Sequence, residues 1–267
     1  MNKYNLLNKK QYQLNDDIII NIPLVGDLWG DGRDISKEQG YLSIATMFLQ
    51  TPTDVMLWLK ECGIYWTDVS DYEVFVLTML SFLSEVQNEQ TKEVSINKWN
   101  LLFPDLDCEN IRLGHLSNSS ADDMKSVVFI DGNDKVVFNP QIYEQISDLL
   151  CCVLHAEKNH EYQKVPEKDT RDYILQRAKT KYERELARNK KKNKSSSVLD
   201  GVILFLVNNC NFKYDFETVK SLTIYDLYAC YKQINKNSEV NDLMSGYYFG
   251  TVDLKKIDES KLQRIII

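Results

Sequence analysis

Apolar positions recur at two different periods along this chain, and each change of period marks an element. Residues 17–22, DIIINI, form a β-branched run that stops at Pro23 and gives way to the glycine-rich stretch 26–32, which predicts a strand followed by a loop. From Ser36 the spacing becomes helical. Ser36 with Gln39, Thr51 with Asp54, and Ser70 with Glu73 each place a hydroxyl three residues before an acceptor that can reach back to the cap's amide, so three helix starts are predicted. The second helix has Pro52 at its first position and Gly63 just past Cys62, with Val55, Met56, Leu59 and Cys62 as its apolar face. The third carries Tyr72, Phe75, Val76, Met79, Leu80 and Leu83, a broad stripe that reads as core.

Alternation returns in SVVFIDGNDKVVF, residues 126–138. Two β-branched runs flank Asp131-Gly132-Asn133-Asp134, which predicts a hairpin; the spaced acidic ligands and distal glutamate of a calcium loop are missing. Asn139 then caps a helix that opens on Pro140 and has Ile142, Ile146, Leu149, Leu150 and Val153 as its periodic face. Cys151 and His155 fall on one side of that helix with Cys152 beside them and His160 beyond. The spacing suits two metal ligands but supplies no fourth, so no metal is expected.

Residues 171–194 change the charge picture. They hold ten basic residues against Asp172, Glu183 and Glu185, a net +7, whereas the chain as a whole carries -7 and the remainder therefore -14. Leu175, Ala178, Tyr182 and Leu186 form a narrow apolar line, predicting a helix with one buried seam that loses its period at Asn189. The serine triplet 195–197 is placed to cap the next helix, 198–208. After the aromatic stretch FKYDF, Thr223 and Asp226 open a further helix with Ile224, Leu227, Tyr228, Tyr231 and Ile234 on its apolar face. Tyr247, Tyr248 and Phe249 follow, just before Gly250 and a weakly helical tail.

The expected fold class is thus mostly α with a small β component (α+β). It divides into an N-terminal α+β domain over 1–165, a basic helical connector over 166–194 and a C-terminal helical module over 195–267. With 43% hydrophobic residues, 4 Trp, 15 Tyr and 10 Phe, the chain has ample material for a core. The six cysteines form no CxxC pair and read as reduced thiols, and no apolar run is long enough to span a bilayer. A cytoplasmic protein, with no membrane partner, is expected. No nucleophile-base pattern or phosphate-cradling glycine loop is readable, so no enzyme and no cofactor are expected.

Two stretches carry a resemblance. YLSIATMFLQTPTDVMLWLKECGIYWTDVSDYEVFVL (41–77) and VKSLTIYDLYACYKQINKNSEVNDLMSGYYFGTVDLKKID (219–258) resemble proteins of the tail-assembly gene clusters of tailed bacteriophages of Gram-positive hosts. There, "TP.D....L...GI.(W/F)" precedes "D(Y/F)E(L/V)F", and the chain closes on "LT.Y.LY...." and "G.Y.GTVD.KKI". The resemblance implies a tail assembly chaperone that holds tape-measure or other tail proteins. It assigns no functional residues. From the sequence itself, the aromatic positions Tyr225, Tyr228, Tyr231, Tyr247, Tyr248 and Phe249 are the candidate partner surface, and self-association is a further expectation. The alternatives are a minor tail or baseplate component of the virion, and a nucleic-acid-binding protein with phosphate contacts from Arg188, Lys190, Lys191, Lys192 and Lys194.

Overall fold

Near the N-terminus, Asn15 turns the chain back on itself. Its side-chain oxygen accepts the amides of Asp17 (2.9 Å) and Ile18 (2.8 Å), so that β1 (Gln11–Gln13) and β2 (Ile19–Asn21) pair antiparallel with Tyr12 opposite Ile20. The structure, a computed structural model, describes residues 4–30, 35–115, 124–162, 164–192, 197–253 and 257–262. Its architecture is mostly α with a small β component: nine α-helices and two antiparallel sheets among the described residues.

After α1 (Val25–Leu28) come α2 (Ser36–Leu49), α3 (Met56–Glu61), α4 (Asp71–Gln87) and α5 (Lys92–Leu102). The Ser70/Glu73 box forms as predicted, with the Glu73 amide donating to Ser70 Oγ and the Ser70 amide donating to Glu73 Oε2 (2.6 Å). The other two boxes do not open their helices. Ile35, not Ser36, stands at the cap of α2, because its carbonyl takes the amide of Gln39. Asp54 accepts the amide of Thr51 at 3.0 Å, which holds a separate turn over 52–55 and delays α3 to Met56.

The predicted hairpin is β4 (Val127–Ile130) with β5 (Val136–Phe138). A third strand that the sequence reading missed, β3 (Arg112–His115), pairs with β4. β3 lacks the alternating apolar signal, since Arg112, Leu113 and His115 are all exposed. Asn139 caps α6 (Pro140–Val153) by accepting the Ile142 amide at 2.8 Å. Where α2, α4, α5, α6 and β5 meet, Phe48, Phe75, Phe103, Phe138 and Tyr143 stack on one another, with ring centroids 4.7 Å apart for Phe48 and Phe75 and 5.0 Å for Phe75 and Tyr143. Trp99 extends the stack and donates its indole N–H to the Leu106 carbonyl at 2.7 Å.

The segment after α6 is strapped to the helices that precede it. Thr51 and Thr53 donate their hydroxyls to the carbonyls of Asn159 (2.6 Å) and Glu161 (2.8 Å), and the Trp66 indole donates to Tyr162 O at 3.1 Å. Lys158 pairs with Asp71 at 3.0 Å. The segment then feeds α7 (Lys168–Lys192), which docks on a small second core of Met56, Leu59, Trp66, Val74 and Leu175. Only the first half of the predicted seam is used. Leu175 is buried and Ala178 half-buried, but Tyr182 is 53% and Leu186 40% exposed, because the second core that α7 packs on ends at Ala178. The helix also continues through Asn189. Its last turn is Lys190-Lys191-Lys192.

The helices of the C-terminal module share the main apolar core. Leu199, Val202, Ile203 and Leu206 of α8 (Val198–Val207), and Ile224, Leu227 and Ile234 of α9 (Ile224–Tyr248), lie in one apolar cluster with residues from Tyr4 to Val153. Main-chain bonds seal the join: the Val25 amide donates to Leu222 O (2.8 Å) and the Ile224 amide to Pro23 O (3.0 Å). Glu38 of α2, 2% exposed, reaches the first turn of α8, where its carboxylate accepts the amides of Val198 (2.7 Å) and Leu199 (3.0 Å) and the hydroxyl of Ser197. Ser197 caps α8 as expected of the serine triplet, and Asp200 in the same turn accepts the Trp29 indole N–H at 2.6 Å.

Glu38→Ala leaves those α8 donors facing a void. We expect it to destabilise the fold by on the order of 3 kcal/mol, read as a lowered midpoint in urea titration, with Glu38→Gln losing less.

Candidate binding site

The C-terminal end of α6, the N-terminal half of α9 and the loop after α8 enclose a groove of about 860 Å³, within the range of pockets that take organic ligands or side chains. Each wall has a local cause. At the end of α6 the amide of Ala156 bonds back to the Cys151 carbonyl at 3.0 Å, which puts His155 in the left-handed region at φ 48. That conformation lays the imidazole against Tyr225 of α9, with ring centroids 5.2 Å apart and planes 21° from parallel. Along α9, Tyr225, Ala229, Gln233 and Asn237 recur every four residues and form one strip of the groove; Gln233 donates to Asn237 at 3.2 Å. Phe212 closes it from the loop after α8.

The chemistry inside is mostly apolar. Burial pushes the Cys151 thiol up, and burial followed by the nearby Asp226 carboxylate does the same for Cys230, so both stay protonated and act as small apolar groups. Cys151, Cys152 and His155 do share this wall, but His160 does not. It sits 3.8 Å from Asp71, beside the Lys158 pair. Among the described residues no three His, Cys, Asp or Glu side chains converge as a metal site. Within the groove, the Nε2 atom of His155 is buried and has no hydrogen-bond partner among the described residues, a polar point in an apolar wall.

The six aromatic residues singled out from the sequence separate into two groups. Tyr225 is buried under His155, Tyr228 packs half-buried against the main core, and Tyr231 lies edge-on to Phe205 of α8 at 5.3 Å. These three are first of all packing residues. Tyr247, Tyr248 and Phe249 are instead exposed, by 49%, 78% and 83%. The separation arises because α9 runs on for about four turns past Ile234, which sets the second group apart from the first.

A compact reversal ends α9 and displays that trio. Gly250 takes φ 72; the amides of Thr251 (2.8 Å) and Val252 (3.1 Å) and the Thr251 hydroxyl (3.0 Å) all donate to the Gly246 carbonyl. Val252 folds so closely over Gly246 that a Cβ there would stand 2.6 Å from the valine side chain. The "G.Y.GTVD" pattern is therefore the recipe for this turn: a glycine to be covered, a glycine to reverse, a threonine to bond back and a valine to cover.

Of the basic candidates, Arg188 is exposed on α7, Lys190, Lys191 and Lys192 form the last turn of that helix, and Lys194 lies outside the described residues. Among the described residues no helix is long and apolar enough to cross a membrane.

Burial, and then the Lys232 ammonium, hold the His155 imidazole below its ordinary 6.5. The unfolded chain therefore takes up the proton first, so stability that is complete above 6.5 falls as the pH drops through that value towards the folded one. We expect the melting temperature to fall on acidification from about pH 7 to about pH 5, and His155→Phe to flatten part of that fall. An unchanged profile in the variant would place the titration elsewhere.

Comparison with known proteins places a likeness on this same end of the chain. Residues 190–263 match the family model described as the YomV second domain, a phage-derived family, and the match takes in α8, α9 and the Gly246–Val252 reversal. No curated protein and no solved structure matches. The similarity over 190–263 suggests a phage protein.

Proposed function

We propose that this chain is a non-enzymatic phage morphogenesis protein that binds a tape-measure or other tail polypeptide and acts as a tail assembly chaperone. The observation that carries the reading is the groove along α9, apolar in most of its wall and edged by the Gln233–Asn237 amide pair. A site of this kind suits an apolar side chain presented by a polypeptide segment. The exposed aromatic trio after α9 adds rigid amphipathic rings of the type enriched in protein interfaces. The match to a phage-derived family supports the setting, and the resemblance of 41–77 and 219–258 to tail-cluster proteins supports the role.

Co-expression of the tagged chain with each tail protein of its phage tests this. We expect a complex that survives nuclease treatment, and at least about tenfold less captured partner when Ala229→Trp fills the groove. Tyr248→Ser with Phe249→Ser should weaken capture separately. The proposal fails if no tail protein is retained, or if the groove and aromatic variants both capture as much as the parent. Recovery of the complex from purified particles, and not only from lysates, would make the chain a virion component.

A further inference from the structure

Helix α7 carries a second surface, unlike the first. Arg177, Lys181, Arg184 and Arg188 recur at i, i+4, i+7 and i+11 and so form one cationic stripe, with Tyr173, Gln176 and Thr180 along its edge. All seven are exposed. Arg171, one turn and a half earlier, shows how this helix uses an arginine for docking: its guanidinium donates to Thr67 (3.0 Å), pairs with Asp68 at 3.5 Å and covers the Tyr65 ring at 4.6 Å. The four residues of the stripe have no hydrogen bond or ion pair among the described residues. Asp172 and Glu183 fall on other sides of the helix, and Glu185 only borders the stripe.

We propose that this stripe binds the phosphate backbone of double-stranded DNA. Three properties of the surface select that partner. First, the stripe face has no aliphatic residue. The unused apolar residues, Tyr182 and Leu186, lie on the far side of the helix, so one protein partner could not cover both, and a protein interface needs an apolar centre. Second, every residue from Lys179 to Arg188 is exposed; Lys181, Tyr182 and Glu185 border a groove shared with Leu57, Tyr162 and Val165 on one flank, while the face of Arg184 and Arg188 is lined by α7 residues alone. A bare α-helix about 10–12 Å across fits the major groove of B-form DNA, about 12 Å wide, whereas the major groove of duplex RNA is too narrow. A convex helix is likewise the wrong shape for single strands, which are held in grooves over aromatic platforms.

Third, the stripe escapes the acidity of the rest of the chain. Arg184 and Arg188 stand about 9 and about 15 Å beyond Ala178, the last residue packed on the body, at about 1.5 Å per residue. Both distances exceed the Debye length of about 8 Å at physiological salt, so the negative body is largely screened from them. Three of the four cations are arginines, whose forked guanidinium donates to two phosphate oxygens at once. Gln176, Thr180 and Tyr173 add neutral donors of the kind that fix register on a backbone without reading bases.

The test is fluorescence anisotropy of a labelled duplex of about 20 base pairs with the full chain, across a salt series. Neutralising four phosphates gives a slope of log affinity against log salt of about -3.6, a loss of about 150-fold between about 50 mM and about 200 mM. In the variant Arg177→Gln/Lys181→Gln/Arg184→Gln/Arg188→Gln the slope should collapse towards zero, and Arg184→Gln alone should reduce it by about one. Exposure of all four side chains keeps the substitutions from touching the core, and equal melting curves would verify that. Absence of duplex binding at about 50 mM salt, or a quadruple variant with the parent's affinity and slope, overturns the proposal. Equal or tighter binding of single-stranded DNA or duplex RNA overturns the choice of B-form DNA.

Discussion

A buried carboxylate ties the two ends of this chain together. Glu38 lies in the middle of the protein at the start of α2, yet what satisfies it is the first turn of α8, some 160 positions further on. A charge removed from water is tolerable only when its oxygens are fully engaged, and here two main-chain amides, a hydroxyl and the positive end of a helix dipole do so together. The dependence runs both ways, since α8 would otherwise begin with unsatisfied amides inside the protein. Because α8 packs on α9 and α9 on α6, the position of this one side chain fixes the register of the C-terminal helices and, through them, the walls of the groove.

Beneath that junction lies the aromatic cluster of Phe48, Phe75, Phe103, Phe138, Tyr143 and Trp99. Its rings come from four helices and one strand, so no pair of neighbouring elements could form it alone. The tyrosines in it keep their hydroxyls paired: Tyr72 beside it donates to Val127 O at 2.6 Å, and Lys158 reaches the Tyr143 hydroxyl at 3.2 Å. Burial raises both phenols far above the ordinary tyrosine range, so both hydroxyls keep their protons at any physiological pH.

Local chemistry was readable and long-range partnership was not. Ser70, Asn139, Ser197 and Thr223 all cap the helices their spacing promised, because a cap and its acceptor are neighbours in sequence. The hairpin around Asp131 also follows from its own residues. Thr51 misled, because its hydroxyl is claimed by Asn159, about a hundred positions away. Strand β3 has no pattern of its own and exists because β4 offers an edge. In the site, Tyr225 announced itself only as an aromatic residue; that it stacks on His155 depends on α6 and α9 packing together, which no spacing rule contains. The same holds for α7, whose apolar line promised a buried seam but could not say where the neighbouring helix would stop.

The reversal after α9 has a consequence for any molecule that meets this end of the protein. Flexible aromatic side chains on a loose tail must give up backbone freedom when they are captured, at about 1–2 kcal/mol per residue fixed. Tyr247, Tyr248 and Phe249 have given it up already, because two are the last residues of a helix and the third begins a turn whose geometry Gly246, Gly250, Thr251 and Val252 dictate. The protein thus carries its stickiest residues preorganised, and contact with them is limited by fit and not by the cost of ordering.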